Sequence, residues 1–272
     1  MPILSVCIPT YNRVRYLKEL VSSLLPSIDV LPEGTVELVV SDNLSTDETA
    51  CYCRSVKRPY FRFWTNETNI GGDRNFLKCI QGAKGEYVWL VGDDDVIPNA
   101  TLSQVLKLVS EVRPGLLVLT EPNGCRDGSY ASYGDFLGKC CHDEVGPALA
   151  HTLISANVFR HDCFDVAFAE QKLYTQYAHM FGLMKALSGR VEVRRGWIET
   201  RPVRADFAKY PSCLCVKQAI YMLYLAKCFK QPQFRRFAVV KACNLPIEYA
   251  SRVKNWIVRR LRGSGTHRLL ER

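Results

Sequence analysis

No apolar run in this 272-residue chain is long enough to cross a bilayer; the longest, Val216 to Phe229, is broken by Lys217, Gln218 and Lys227. The first residues, Met1 to Val6, show neither the basic start nor the cleavage site of a secretory signal. Export is therefore not expected, and reduced thiols are the default. Twelve cysteines are present, but zinc-site spacing is not, and no pair of CxxC motifs occurs. Cys51-Tyr52-Cys53, Cys140-Cys141 and Cys213-Leu214-Cys215 are read as small apolar residues, not as a disulfide framework. There is no internal repeat. A formal net charge of +9 calls for an anionic partner. No recognised motif or aromatic platform accompanies the basic residues, so nucleic acid is not expected to be that partner.

What is present is a chain of ordinary globular composition, 47% hydrophobic and 23% charged, long enough to bury a sizeable core. Its most informative stretch is Tyr87 to Val91, an apolar run of strand length that empties into Asp93-Asp94-Asp95 and is stopped by Pro98. Such an uninterrupted run suits a strand covered on both faces, as in a parallel sheet. Three acids at its carboxyl end repel one another unless a positive charge sits among them. Ligands of open α/β sheets bind outside the carboxyl ends of the strands. A divalent cation carrying a diphosphate answers both conditions. The alternative is a solvated acidic turn leading into the helix that begins near Ala100.

Strand and helix alternate through the first 120 residues. Strands are expected at 3–8, 36–40, 61–64, 87–91 and 116–119, and helices over 14–25, 75–83 and 101–112. Pro26 is expected just beyond the first helix. Ser45 to Glu48 has the spacing of a capping box opening a helix after the second strand. The pattern predicts a mostly parallel, doubly wound sheet. Residues 121–150, rich in Gly, Ser, Tyr and Asp and with little periodicity, read as a long loop or small subdomain over the ligand edge. Tyr174 to Leu187 reads as a helix. From Pro211 the chain is helical and basic. Over Tyr249 to Leu261 an apolar stripe containing Trp256 is flanked by Arg252, Lys254, Arg259, Arg260 and Arg262. That helix either lies in an anionic lipid interface or docks on the domain with a solvated basic face. Expected boundaries are thus 1–120, 121–210 as the second half of the same domain, and 211–272.

Four segments together carry a resemblance: Ser5-Val6-Cys7-Ile8-Pro9-Thr10-Tyr11-Asn12-Arg13, Val39 to Asp47, Asn69-Ile70-Gly71-Gly72, and Gly92-Asp93-Asp94-Asp95. In order and spacing they resemble the GT-A glycosyltransferases of inverting family 2, over roughly residues 3 to 120. Downstream there is only a general likeness to transferases that build O-antigen or capsule side chains. The resemblance implies an α/β, Rossmann-like GT-A fold that binds a UDP-, GDP-, CDP- or dTDP-linked sugar together with Mn²⁺ or Mg²⁺. It implies that Pro9, Thr10 and Tyr11 contact base and ribose, and that Asp42 accepts a hydrogen bond from one of them. Asn69 would join the donor site, Asp93 would face the ribose or donor sugar, and Asp95 would ligate the metal. Asp94 is left open between those two roles, and Arg74 between diphosphate contact and a surface helix position. Each has a structural competitor: Asp42 as a helix cap, Tyr11 as packing, Asn69 as a turn residue.

An inverting transfer needs a base remote from the metal, on the acceptor side. The acidic pair that family members often carry there is missing. Asp162, Asp165 and Glu170 are the acidic candidates, with Asp165 placed first. His179 is a fourth, as base, as a third metal ligand, or as a buried core histidine. Neither the Gln-x-x-Arg-Trp motif nor the membrane helices of processive family members occurs, which implies one transfer per acceptor. No glycine-rich loop follows the first strand, which argues against a sugar nucleotidyltransferase. The resulting expectation is a cytoplasmic enzyme, peripheral on the inner face of the plasma membrane, acting on a glycan carried by a polyprenyl diphosphate. The competing expectation is a catalytically silent scaffold of a polysaccharide assembly complex.

Overall fold

The computed structural model describes residues 1–120, 127–140, 153–173, 177–195 and 197, with side chains as far as Phe136 in the helix that ends at Cys140. The chain divides into two compact units, Met1–Phe136 with Val145–Arg201, and Leu137–Glu144 with Pro202–Arg272. All described residues except 137–140 belong to the first. The basic helix expected over 249–261 lies outside the described residues.

The strands are β1 (Leu4–Thr10), β2 (Val36–Asp42), β3 (Phe61–Thr65), β4 (Tyr87–Leu90), β5 (Leu116–Thr120), β6 (Gly128–Tyr130), β7 (Asn157–Arg160) and β8 (Val191–Arg195). They form one sheet in the order β3-β2-β1-β4-β7-β5-β8-β6. The helices are α1 (Val14–Asp29), α2 (Thr49–Ser55), α3 (Gly72–Gly82), α4 (Thr101–Glu111), α5 (Tyr133–Cys140), α6 (Val166–Glu170) and α7 (Ala178–Ala186).

From β3 to β4 the sheet is parallel, as the alternation of elements predicts. Every residue of β1 and β2 is buried, the state in which continuous apolar strands are stable. The register brings Thr10 beside Asp42, and Asp42 beside Thr65, so the carboxyl ends of three strands lie in one row. β4 runs alongside them, with Cys7 beside Leu90, and Val91 donates its N–H to the Cys7 carbonyl at 2.8 Å. The turn that follows β4 therefore arrives next to the end of β1.

Beyond β4 the sheet becomes mixed. β5 is not its neighbour; β7 enters between them, antiparallel to both. β8 pairs parallel with β5, and β6 pairs antiparallel with β8. The supposedly irregular stretch thus contributes both a strand and α5. α1 also runs past its expected end, with exposed Pro26 inside it. A proline there removes one intrahelical donor, and the freed carbonyl belongs to exposed Ser22, where water can satisfy it. The Ser45–Glu48 capping box does not form: α2 begins at Thr49, and the Asp47 carboxylate accepts from Thr49 N–H at 3.0 Å.

At the opposite, amino-end edge a buried Glu37 fastens three segments. It accepts from Ser5 Oγ at 2.5 Å, from Lys84 N–H at 2.5 Å and from Arg62 Nη1 at 2.7 Å. Burial alone would raise its pKa; those three donors outweigh burial and hold it below the usual carboxylate range.

Candidate active site

The loops at the carboxyl ends of β1 and β2 are locked to each other. Asn12 N–H donates to Ser45 Oγ at 2.8 Å, Thr46 N–H to Asn12 Oδ1 at 2.7 Å, and Val14 N–H to Asp47 Oδ2 at 3.0 Å. Asn12 and Leu44 sit in the left-handed region, at φ 53° and 64°. Asparagine tolerates this conformation; for leucine it costs of order 1–3 kcal/mol, held by the surrounding hydrogen bonds. The result leaves Tyr11 and Leu44 on the rim, 43% and 41% exposed, while Pro9 and Thr10 are buried behind them.

Asp42 is fully buried, and its oxygens accept from Ser45 N–H at 3.0 Å and Thr65 Oγ1 at 3.1 Å. Two of about four lone-pair sites are thereby used. Asn69 Oδ1 accepts from Asn43 Nδ2 at 2.8 Å and Gly71 N–H at 3.0 Å. Behind it lies an amide network absent from the sequence reading. Asn66 Nδ2 donates to Asn43 Oδ1 and Asn75 Oδ1, and Ser41 Oγ also donates to Asn75 Oδ1. The Asn69–Gly72 segment is thus fixed to the ends of β2 and β3. Arg74, one turn into α3, lines an open groove with Ile70, Lys78, Gln81, Glu170 and Leu173.

The three acids after β4 have different surroundings. Asp93, 5% exposed, accepts from Thr10 Oγ1 at 2.7 Å and from Arg13 Nη1 at 3.1 Å. The same Arg13 nitrogen donates to Asp94 Oδ2 at 2.9 Å. Burial, helped by the neighbouring Asp94 charge, pushes the Asp93 carboxyl up to about 6 against the pull of Arg13 and Thr10. Burial would lower Arg13, and the two carboxylates reverse that and raise it. Asp95 takes the Ser155 hydroxyl on Oδ2, which also receives Gly92 N–H at 3.2 Å. Ser155 Oγ itself accepts from Gly92 N–H at 2.8 Å, and its carbonyl accepts from Trp89 Nε1 at 2.8 Å. A Cβ on Gly92 would come within 2.8 Å of Asp95 Oδ2, so glycine there leaves the carboxylate its place.

Arg13 and Ser155 had no role in the sequence reading. Arg13 lay inside a quoted motif, and its sign opposite three acids was an available signal. Ser155 had none, because only the antiparallel entry of β7 brings it to the acidic turn.

Asp93 gives a pH prediction. A carboxyl whose folded pKa is raised contributes stability below its ordinary value, and that contribution is lost as pH rises through the folded one. With chelator present, unfolding free energy should fall between pH 4 and 6 by up to about 3 kcal/mol relative to Asp93→Asn. Urea titrations of both proteins across that range measure the difference; parallel profiles would contradict it.

The four base candidates separate. Arg160 pairs with Tyr87 at the start of β4, so Asp162 falls at the amino-end edge, far from the acidic turn, and its carboxylate accepts from Arg160 Nε at 2.6 Å. Asp165 caps α6, accepting from Phe168 N–H at 2.8 Å. Asp162 lies at the amino-end edge because β7 runs antiparallel to β4 and carries the chain there. Glu170 lies in the groove with Arg74. His179, 3% exposed, begins α7 with its ring 6.4 Å from that of Phe76. α7 leads down to β8, which starts beside Leu116, so its first turn lies toward the carboxyl-end edge.

Among the described residues no group of three or more His, Cys, Asp and Glu side chains forms a metal cage. The donor set still suits a hard divalent cation. Mg²⁺-like ions are held by one or two carboxylates plus substrate phosphates, and the turn offers carboxylate oxygens whose charge one arginine only partly offsets. No helix of the described residues is long and apolar enough to cross a membrane.

Residues 5–129 match the family model for glycosyl transferase family 2. Abequosyltransferase RfbV of Salmonella typhimurium is 36% identical over 104 residues, covering 37% of this chain and 31% of RfbV. Poly(ribitol-phosphate) beta-N-acetylglucosaminyltransferase TarS of Staphylococcus aureus is 32% identical over 119 residues, 42% of this chain and 20% of TarS. The chain thus spans about a third or less of the length of these curated relatives. In structure, TarS 1–349 in complex with UDP-GlcNAc aligns with a TM-score of 0.59 at 21% identity, over 95% of this chain and 71% of that one. The mannosyltransferase PcManGT from Pyrobaculum calidifontis, in complex with GDP-Man and Mn²⁺, aligns at 0.55 and 16% identity, over 98% of this chain and 77% of that one. With the parallel β3-β2-β1-β4 half and the acidic turn at its carboxyl edge, these findings give one conclusion: the chain has the GT-A fold, and its residues 5–129 are similar to glycosyl transferase family 2.

Proposed function

We propose that this protein is an inverting glycosyltransferase that moves one sugar from a nucleotide-diphosphate sugar to a hydroxyl of a glycan acceptor, in the making of a bacterial surface polysaccharide. The observation that carries the reading is the acidic turn at the carboxyl edge of β4, inside the residues similar to family 2 and divided between Arg13 and Ser155. Tyr11 and Leu44 wall the nucleoside, and Thr10 and Asp93 face the ribose. Asp42 and Asn69 fix the loops that surround it and offer their remaining lone pairs. Asp95 would hold Mn²⁺ or Mg²⁺, with Asp94 beside it. When bound, the cation supplies Lewis-acid stabilisation to the departing diphosphate. Arg74, in the first turn of α3, would contact that diphosphate. Of the base candidates, His179 is the one we propose, since α7 begins toward the edge where the donor would sit.

The acceptor is proposed to be a glycan on a polyprenyl diphosphate at the cytoplasmic membrane face. The +9 net charge favours anionic headgroups and an anionic carrier. The test is turnover with UDP-, GDP-, CDP- and dTDP-sugars, each with Mn²⁺ and with Mg²⁺, against a polyprenyl-diphosphate glycan. One donor should release its nucleoside diphosphate and yield a product of inverted anomeric configuration by NMR. Retained configuration would refute inversion. Nucleotide binding without release from any donor would favour the scaffold.

A further inference from the structure

A metal beside Asp95 makes Arg13 an odd neighbour, since a fixed positive charge opposes the cation the acids would attract. Yet Arg13 is held there by the fold. It immediately precedes α1, its carbonyl accepts from Leu17 N–H at 3.0 Å, and the adjoining Val14 N–H is tied to Asp47 at 3.0 Å. One nitrogen of its guanidinium bridges Asp93 and Asp94, at 3.1 and 2.9 Å. The Arg13 side chain is 39% exposed, against 6% and 23% for the two acids, so it covers them from the solvent side.

We infer that Arg13 is a positioning residue that acts as a built-in counter-ion, keeping the acidic turn formed without metal and making a bare divalent cation bind weakly. A diphosphate brings negative charge that both cations share, so metal and nucleotide each favour the other's binding, and by linkage the factor is the same in both directions. Arg13 thereby turns a metal site into a site for a metal–diphosphate complex. The inference rests on the donor-site reading above and adds to it which residue sets the coupling.

The experiment is Mn²⁺ binding by electron paramagnetic resonance, without sugar or acceptor, in wild type, R13K, R13Q and R13M, alone and with UDP, GDP, CDP or dTDP. R13Q and R13M should bind bare Mn²⁺ roughly tenfold more tightly than wild type, the order expected on removing one unit charge in the neighbourhood of a divalent ion even at water's dielectric constant. R13K should stay near wild type. The factor by which nucleotide improves Mn²⁺ binding should shrink about tenfold in R13Q and R13M. Either neutral variant suffices should the other not fold. If the neutral variants bind bare Mn²⁺ no better than wild type while nucleotide still promotes Mn²⁺ binding, the role of Arg13 is refuted and the donor site stands. If no nucleotide promotes Mn²⁺ binding in wild type, both fall.

Discussion

Asp95→Asn should lower the rate of sugar transfer by about a thousandfold or more, with the protein folded and its unfolding midpoint little changed. Asparagine keeps the size of the side chain and an oxygen that can accept from Ser155 and Gly92. What it lacks is the negative charge and the hard anionic ligand. A preorganised group facing the charge that develops on a leaving oxygen typically contributes a factor of about 10² to 10³, and loss of the metal's protein ligand removes more than one such contact. The loss should appear in kcat with saturating donor as well as in nucleotide affinity, because the interaction strengthens as the diphosphate departs. Asp94→Asn should be milder, since Arg13 still holds the turn through Asp93. Equal losses in the two variants would show that net charge matters and the position of Asp95 does not.

Trp89→Ala should destabilise the fold by about 3–5 kcal/mol, read as a shift in urea midpoint at unchanged slope. The side chain is fully buried in β4, opposite Val158 of β7. Trp89→Phe separates packing from polarity. It keeps most of the apolar volume but leaves the Ser155 carbonyl without the indole donor, at a cost of about 1–3 kcal/mol. Because Ser155 also carries the hydroxyl on Asp95, Trp89→Phe should additionally weaken Mn²⁺-supported activity by about tenfold, the usual order for a group that orients a metal ligand. Destabilisation without that loss would mean that the indole holds up the fold and not the site.

The parallel half of the sheet was legible because its information is local. Ile3 to Ile8, Val36 to Val40 and Tyr87 to Val91 are mostly apolar, β-rich runs of the kind that suits a doubly covered strand, and the acids after β4 advertise a ligand edge. The antiparallel half was not, since Asn157-Val158-Phe159-Arg160 is too short to announce its direction or neighbours. That one strand sets where Ser155 and Asp162 lie. It delivers Ser155 to Asp95 and carries Asp162 away, and no pattern within either segment encodes the outcome. The capping box failed for a related reason: Ser45 had a competing partner in the Asn12 backbone, visible once two loops are brought together. The helices expected over 14–25, 75–83 and 101–112, by contrast, drifted only at their ends, as with α1 running through Pro26, whereas α5 arises where no helical period was visible.

The most direct measurement of the account is the thermal unfolding midpoint with UDP, GDP, CDP and dTDP, each with Mn²⁺ and with chelator. One nucleotide should raise the midpoint by several degrees with Mn²⁺ and barely at all with chelator, and Asp95→Asn should abolish the metal-dependent part. The same stabilisation in chelator, undiminished in Asp95→Asn, would contradict the claim that the acidic turn grips a nucleotide through a divalent cation.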